Sequence, residues 1–249
     1  MNRNWIAIVS DVHGNLPALE VVLGDMLRFD VDEVLCLGDV ANLGPAPSAA
    51  LKRVRALEAL TVMGNTDDYL LRPRTREDVR APDEDTDHFL ELEAWCAAQL
   101  DEADREFVRA FQPHLTLELD GVTVLAYHGS PRSYDEQIRA ATPDPTLDEY
   151  LGGHPARVYL GGHTHEQFVR RYHDAIVANP GSVGTAYYVP KGAQAGVNIA
   201  VAEYALLQVV DGQPNVHLRR VPYDADAYRE AVRDSGMPHA DWWLETFVG

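Results

Sequence analysis

The sequence predicts an α/β fold organised around a sheet that starts with parallel strands. Two observations carry this. Apolar runs alternate with amphipathic stretches over residues 5–63 in the order β-α-β-α-β, an order that requires parallel strands joined by right-handed crossovers. In addition, five short apolar runs each stop at a residue able to bind a metal. Residues 6–10 stop at Asp11, with His13 two further on; 34–38 stop at Asp39; 61–64 at Asn65; 123–127 at His128; and 158–162 at His163, with His165 two further on. A short apolar run bounded by Gly reads as a buried strand, and open α/β sheets carry their sites at the carboxyl ends of strands. Seven oxygen and nitrogen ligands therefore converge on one sheet edge.

Each element follows from its local pattern. Residues 5–10 form the first strand. Residues 16–29 form a helix with Leu19, Val22, Leu23, Met26 and Leu27 on one face. Residues 33–37 form the second strand, Ser48 caps a helix carrying Leu51 and Val54, and residues 60–63 form the third strand. Charges and Pro73 make 69–80 a loop or broken helix. Residues 87–100 read as a helix with Phe89, Leu92, Cys96 and Leu100 inward, and Asp101 caps another containing Phe107 and Phe111. The block at about 69–112 is thus a helical insertion, and a cap over the site is its favoured role against a plain surface insertion.

Strands resume at 115–119, and Asp120-Gly121 signals a hairpin into residues 122–127. A loop-rich stretch over 131–155 holds one short helix near 146–151. Strands follow at 158–160, 168–172 and 175–179. Residues 200–210 and 216–221 flank a second turn at Asp211-Gly212, and 223–235 end the fold as a helix. The tail residues Trp242, Trp243 and Phe247 are expected to dock onto the core or onto a second copy in a homo-oligomer. With no repeat and no linker, residues 1–249 read as a single domain.

Composition narrows the function classes. Apolar residues make up 46% and charged residues 24% of the 249, ordinary for a globular protein able to bury a full core. The two cysteines, Cys36 and Cys96, fall in apolar patterns and in no C-x-x-C motif, so they read as buried thiols. The N-terminal apolar run meets Asp11 too soon for a signal peptide or membrane span, and a cytoplasmic protein is expected. A net charge of −18, from 21 basic against 39 acidic residues, argues against a nucleic-acid surface. An anionic substrate would need local positive charge, which bound metal supplies.

The pieces gain weight in sequence: Asp-Val-His, Gly-Asp, Gly-Asn, an isolated His, then Gly-His-Thr-His. With the runs SDVHGNLPALE, LGDVANLGP, HGSPRS, GGHTHEQF and NPGSVG, residues 5–221 resemble the calcineurin-like metallophosphoesterase superfamily and its small bacterial and archaeal phosphodiesterase branch. The resemblance implies a four-layer α/β sandwich, two packed mixed β-sheets flanked by helices. It implies one metal site from Asp11, His13 and His165, another from Asn65, His128 and His163, and Asp39 bridging both. It implies hydrolysis of a phosphodiester, phosphomonoester or nucleotide phosphoanhydride by a hydroxide held between two ions. Imidazole, carboxylate and amide ligands without thiolate suit manganese, iron, zinc or nickel. Two divalent ions less the charges of Asp11 and Asp39 leave a positive site that attracts phosphate.

The resemblance breaks at Gly64-Asn65-Thr66-Asp67. Many members carry His where Thr66 stands, a residue associated with protonating the leaving group. Asp67 matches the acidic position but lacks that histidine partner. General acid help is worth about 10²–10⁴ in rate, so aryl phosphates, nucleotide phosphodiesters and phosphoanhydrides should suffer least from its loss. The catalytic set is therefore Asp39, Asn65, Thr66 and Asp67, and the substrate contacts are Asn65, Arg132 and Asn15. Arg132 is a phosphate clamp or a surface ion pair, and Asn15 a substrate contact or a loop-forming residue. Gly181 and Ser182 are expected to shape the turn behind the histidine pair. A phosphorylated small molecule, nucleotide or phosphoprotein is the expected substrate. A non-catalytic metal-binding scaffold and a nuclease are the rival readings.

Overall fold

Alternation along the strands sorts their side chains between two hydrophobic clusters. The structure is a computed structural model that describes residues 5–193 and 196–248. On β1 (Trp5–Val9), Ala7 and Val9 pack with α1 (Leu16–Met26) and α2 (Pro47–Ala56), whereas Ile6 and Ile8 join residues of a second sheet. That period of two is the strand's own geometry. The first sheet places β1 beside β2 (Val31–Cys36) and β3 (Leu60–Thr61), all parallel, and on its other side β11 (Val201–Val210) and β12 (Gln213–Pro222), both antiparallel to their neighbours.

The second sheet is also mixed. β5 (Val122–Tyr127), β6 (Val158–Leu160) and β8 (Ala175–Asn179) run parallel in its centre. β4 (His114–Leu119) and β7 (Phe168–Tyr172) close the edges antiparallel. Val122, Val124, Ala126, Val158 and Leu160 face the first sheet. Leu125, Tyr127 and Tyr159 turn outward onto Leu147 and Leu151 of α6 (Asp144–Leu151). Helices, sheet, sheet and helix make four layers, as the resemblance implied. Both predicted Asp-Gly hairpins form, each with two residues at positive φ: Asp120 and Gly121 at 48° and 77°, Asp211 and Gly212 at 51° and 71°.

Several local expectations are corrected. The stretch expected to begin as loop at 69 is helical from its N-terminal side: α3 (Asn65–Leu71) starts directly after Gly64. Asp67 and Asp68 sit in its first turn, where the helix dipole favours negative charge. Ser48 does not cap α2. Pro47 opens that helix, and the Ser48 hydroxyl donates to Asp104 Oδ2 at 2.6 Å. Asp101 does cap α5 (Glu102–Arg109), accepting from the Asp104 amide at 2.8 Å.

In α4 (Thr86–Ala98), Cys96 and Leu92 enter the same cluster as α1 and α2, as do Leu100, Val108 and Phe111. The helical block is thereby packed into the helix layer. Phe89, expected inward, is 36% exposed and faces the cleft described below.

The tail forms α8 (Ala240–Glu245), after α7 (Ala225–Asp234), and then β13 (Phe247–Val248). β13 pairs with β10 (Val197–Ile199), which pairs with β9 (Tyr187–Tyr188), a small third sheet absent from the expected elements. Trp243 and Phe247 bury in the main cluster of their own chain. Among the described residues no helix is long and apolar enough to cross a membrane.

Candidate metal centre

All seven expected ligands lie where the carboxyl ends of strands meet. Asp11 and His13 follow β1, Asp39 follows β2, and Asn65 follows β3, all on the first sheet. His128 follows β5, and His163 and His165 follow β6, on the second. Their ligand atoms fall into two groups, Asp11–His13–His165 and Asp39–His128–His163, each within 4.8 Å. Asp39 faces both, its Oδ2 lying 3.3 Å from His128 Nε2 and 3.9 Å from His13 Nε2. Asn65 Oδ1 lies 3.1 Å from His128 Nε2, on the second group.

The backbone is bent to bring these side chains together. Asp11, His13, Asp39, His163 and His165 all adopt φ between 46° and 65°. A left-handed conformation at a residue with a Cβ costs of the order of 1–3 kcal/mol, and five in one site mark a place where function overrides local preference. Alternate residues of an extended chain would point to opposite sides. The left-handed turns at His163 and His165 instead deliver one imidazole to each group.

Hydrogen bonds orient the rings. His13 Nδ1 lies 2.9 Å from the Asn42 carbonyl, His128 Nδ1 2.7 Å from that of Leu37, and His165 Nδ1 3.1 Å from that of Thr185. A carbonyl can only accept, so each Nδ1 carries a proton and donates, and Nε2 is the ring nitrogen turned inward. These inward nitrogens crowd on carboxylate oxygens and on one another. His165 Nε2 is 3.2 Å from Asp11 Oδ1, which is buried without a hydrogen-bond donor, and 3.2 Å from His13 Nε2. Nitrogens and carboxylate oxygens this close in a buried space are held by a shared cation, a proton or a metal ion, and the Nδ1–H···O=C support behind the imidazoles suits a metal ion. The donor set of imidazole, carboxylate and amide fits divalent transition ions.

The electrostatics point the same way. Burial works against both carboxylates, yet His165 holds Asp11, and His128 holds Asp39, below the usual carboxylate range. Burial also opposes charge on the imidazoles and lowers His13 and His163. His128 is nevertheless pushed up to about 10 by Asp39, and His165 is raised by Asp11. The pocket draws positive charge.

Thr66 and Asp67 serve the Asp39 loop. The Thr66 amide donates to Asp39 Oδ1 at 2.9 Å, leaving Oδ2 for the two groups. The Thr66 hydroxyl is buried without a partner. Asp67, in the expected catalytic set, has both its oxygens on backbone amides. Oδ2 accepts from the Asp39 amide at 2.7 Å and the Gly64 amide at 3.2 Å, and Oδ1 from the Val40 amide at 2.9 Å. Burial and the neighbouring Asp39 carboxylate raise Asp67 to about 7, opposed by those amides. It ties the loop after β2 to the start of α3.

The two outlying substrate contacts are not brought to the cluster. Asn15 is fully buried; its Oδ1 caps α1 by accepting from Ala18, and its amide donates to the Gly184 carbonyl and Tyr223 hydroxyl at 2.8 and 3.0 Å. Arg132 pairs with Glu136 and Glu149 and lies over the Tyr150 ring, so its guanidinium is already satisfied. Ser182 holds the turn behind the histidines, donating to the Asp11 carbonyl at 2.7 Å and accepting from the Thr185 amide at 2.8 Å. Residue-type reasoning missed Asn42, whose contribution is a main-chain carbonyl with no side-chain signal, and Thr185, which reaches His165 Nδ1 through both its carbonyl and its hydroxyl.

A fold of two mixed sheets with clustered His and Asp at their shared rim defines a metallophosphoesterase architecture. Residues 5–207 match the calcineurin-like phosphoesterase superfamily domain, and the chain belongs to that family. It is 25% identical to an uncharacterized protein of Methanocaldococcus jannaschii over 254 residues, covering 98% of this chain and 97% of that one. It resembles the crystal structure of a metallophosphoesterase from Sphaerobacter thermophilus, with a TM-score of 0.73, 25% identity and coverage of 98% and 100%. A hypothetical protein from Pyrococcus horikoshii shares the fold at a TM-score of 0.77 and 17% identity, with 97% of each chain covered.

Proposed function

We propose that this protein is a metal-dependent phosphoesterase of the cytoplasm that hydrolyses a phosphoester or phosphoanhydride bond in a phosphorylated small molecule or nucleotide. Asp11, His13 and His165 would hold one divalent ion, Asn65, His128 and His163 a second, and Asp39 would bridge them. The convergence of inward-facing Nε2 atoms and buried carboxylate oxygens into two compact groups supports this reading most directly. Bound ions would supply Lewis-acid charge and lower the pKa of water.

The chain's own residues set the rest. Thr66 fixes Asp39 through its amide, and its unpartnered hydroxyl is available to donate to a phosphoryl oxygen. Thr66 is too weak an acid to protonate a departing alkoxide, and Asp67 is fully buried on backbone amides and does not line the cleft. Esters with good leaving groups should therefore be preferred, and diesters or anhydrides over alkyl monoesters.

The test is hydrolysis of aryl phosphates and phosphodiesters with manganese, iron, zinc or nickel supplied, beside Asp39→Asn. Turnover should need metal, fall by at least about 10²-fold in the variant and decline as leaving-group pKa rises. Metal binding without any turnover would favour the scaffold reading, and a flat leaving-group plot would refute the role given to Thr66.

A further inference from the structure

The cluster opens into a cleft of about 370 Å³, within the range of small-ligand pockets. From the cluster it is lined by His13, Asp39, His163 and His165. Its walls beyond them are Leu43, Phe89 and Trp243, with Asn198 and Thr246 at the edge. The Trp243 ring is pinned by its Nε1–H donating to the Tyr228 hydroxyl at 2.9 Å. Phe89 stands edge-on to Trp242 at 5.0 Å. Asn198 donates to the Thr246 hydroxyl at 3.1 Å, so the polar rim is partly self-satisfied.

Among the described residues no Lys or Arg lines this cleft. Arg74, just past α3, is spent on Glu93 and the Tyr69 ring, and Arg139 on Glu166 and Tyr187. With a chain charge of −18, a second or third anionic group placed here would meet no counter-charge. A flat apolar ring would meet two aromatic walls and a leucine.

Resting on the phosphoesterase reading, we infer that the cleft is a leaving-group pocket for an uncharged aromatic ring carried on a single phosphoryl group, with Phe89 as its specificity-determining residue. Polyphosphate chains and phosphoprotein segments are poor occupants. Phe89 comes from α4, while Trp243 and Thr246 come from the C-terminal segment. The helical block and the tail therefore define the substrate without touching the cluster.

The experiment is calorimetric binding to the manganese-loaded protein of inorganic phosphate, methylphosphonate, phenylphosphonate and 4-carboxyphenylphosphonate. None of these is hydrolysed. Phenylphosphonate should bind at least about tenfold tighter than methylphosphonate, and the added carboxylate should erase most of that gain. Phe89→Ala, at a partly exposed position, should bind phosphate as the wild type does while its phenyl preference falls to about twofold or less. Equal binding of the phenyl and methyl ligands would overturn this inference alone. So would a preference that survives Phe89→Ala, or a carboxylate that strengthens binding. Failure of the wild type to bind phosphate at all would overturn the phosphoesterase reading with it.

Discussion

Replacing Gly64 by Ala should cripple the centre without unfolding the protein. Gly64 has φ −92° and ψ 166°, an extended conformation any residue adopts, so the backbone tolerates alanine. The space does not. A Cβ built there lies 2.0 Å from Asp39 Oδ1 and 2.5 Å from the Asp39 amide nitrogen, where real contacts do not fall under 3.0 Å. Relief requires the Asp39 carboxylate to withdraw by about 1 Å, comparable to the misplacement that costs ~10²-fold in rate. Asp39 Oδ2 faces both groups from 3.3 and 3.9 Å, so both should weaken, by ~10–100-fold in affinity as when an orienting partner is lost. Strain should remove ~1–3 kcal/mol of stability. Manganese titration by calorimetry reads the affinities, and urea unfolding reads the stability. A Gly64→Ala protein that binds two ions and turns over like the wild type would refute the placement of Asp39.

Asn15→Ala should lose ~1–3 kcal/mol in urea unfolding, from the helix cap and two buried donors, with KM unchanged; a tenfold rise in KM at intact stability would restore Asn15 as a substrate contact. Asp25 is buried, and although burial opposes its ionisation, Arg219, Tyr204 and Arg28 hold its pKa below the ordinary 3.8. A depressed folded pKa contributes stability above the unfolded value that is lost as pH falls through the folded one. Asp25→Asn should therefore be less stable than the wild type at pH 7 by ~1.5–3 kcal/mol, with the gap closing below about pH 4. A gap that stays constant from pH 7 to pH 2 would contradict this.

The strands bearing the cluster were legible because each is an apolar run ending at a Gly or a ligand, and burial on both faces leaves that signature without alternation. Val122–Tyr127, Val158–Leu160, Phe168–Tyr172 and Ala175–Asn179 were read to the residue. Helix boundaries were less readable, since Pro47 and the Gly64–Asp67 contact set starts that a search for Ser or Asp caps does not see. The third sheet escaped because its strands are two or three residues long, and one of its two pairings, β10 with β13, joins segments far apart in sequence. Phe89 fell on the apolar period of α4 and so read as core, whereas the docked tail leaves it facing an opening. Asn15 and Arg132 stand close in sequence to ligands, and proximity says nothing about which way a side chain is already committed.

Asp11, His13, Asp39 and Asn65 ride on one sheet, and His128, His163 and His165 on the other. Each group draws members from both halves, so the constellation comes into being only once the halves have closed against each other. An ion bound across that seam would act as a rivet, adding about 2.7 kcal/mol when its free concentration stands 100-fold above its dissociation constant. Chelators would then loosen the whole molecule and not merely silence it, and thermal resistance would report ion supply in the medium.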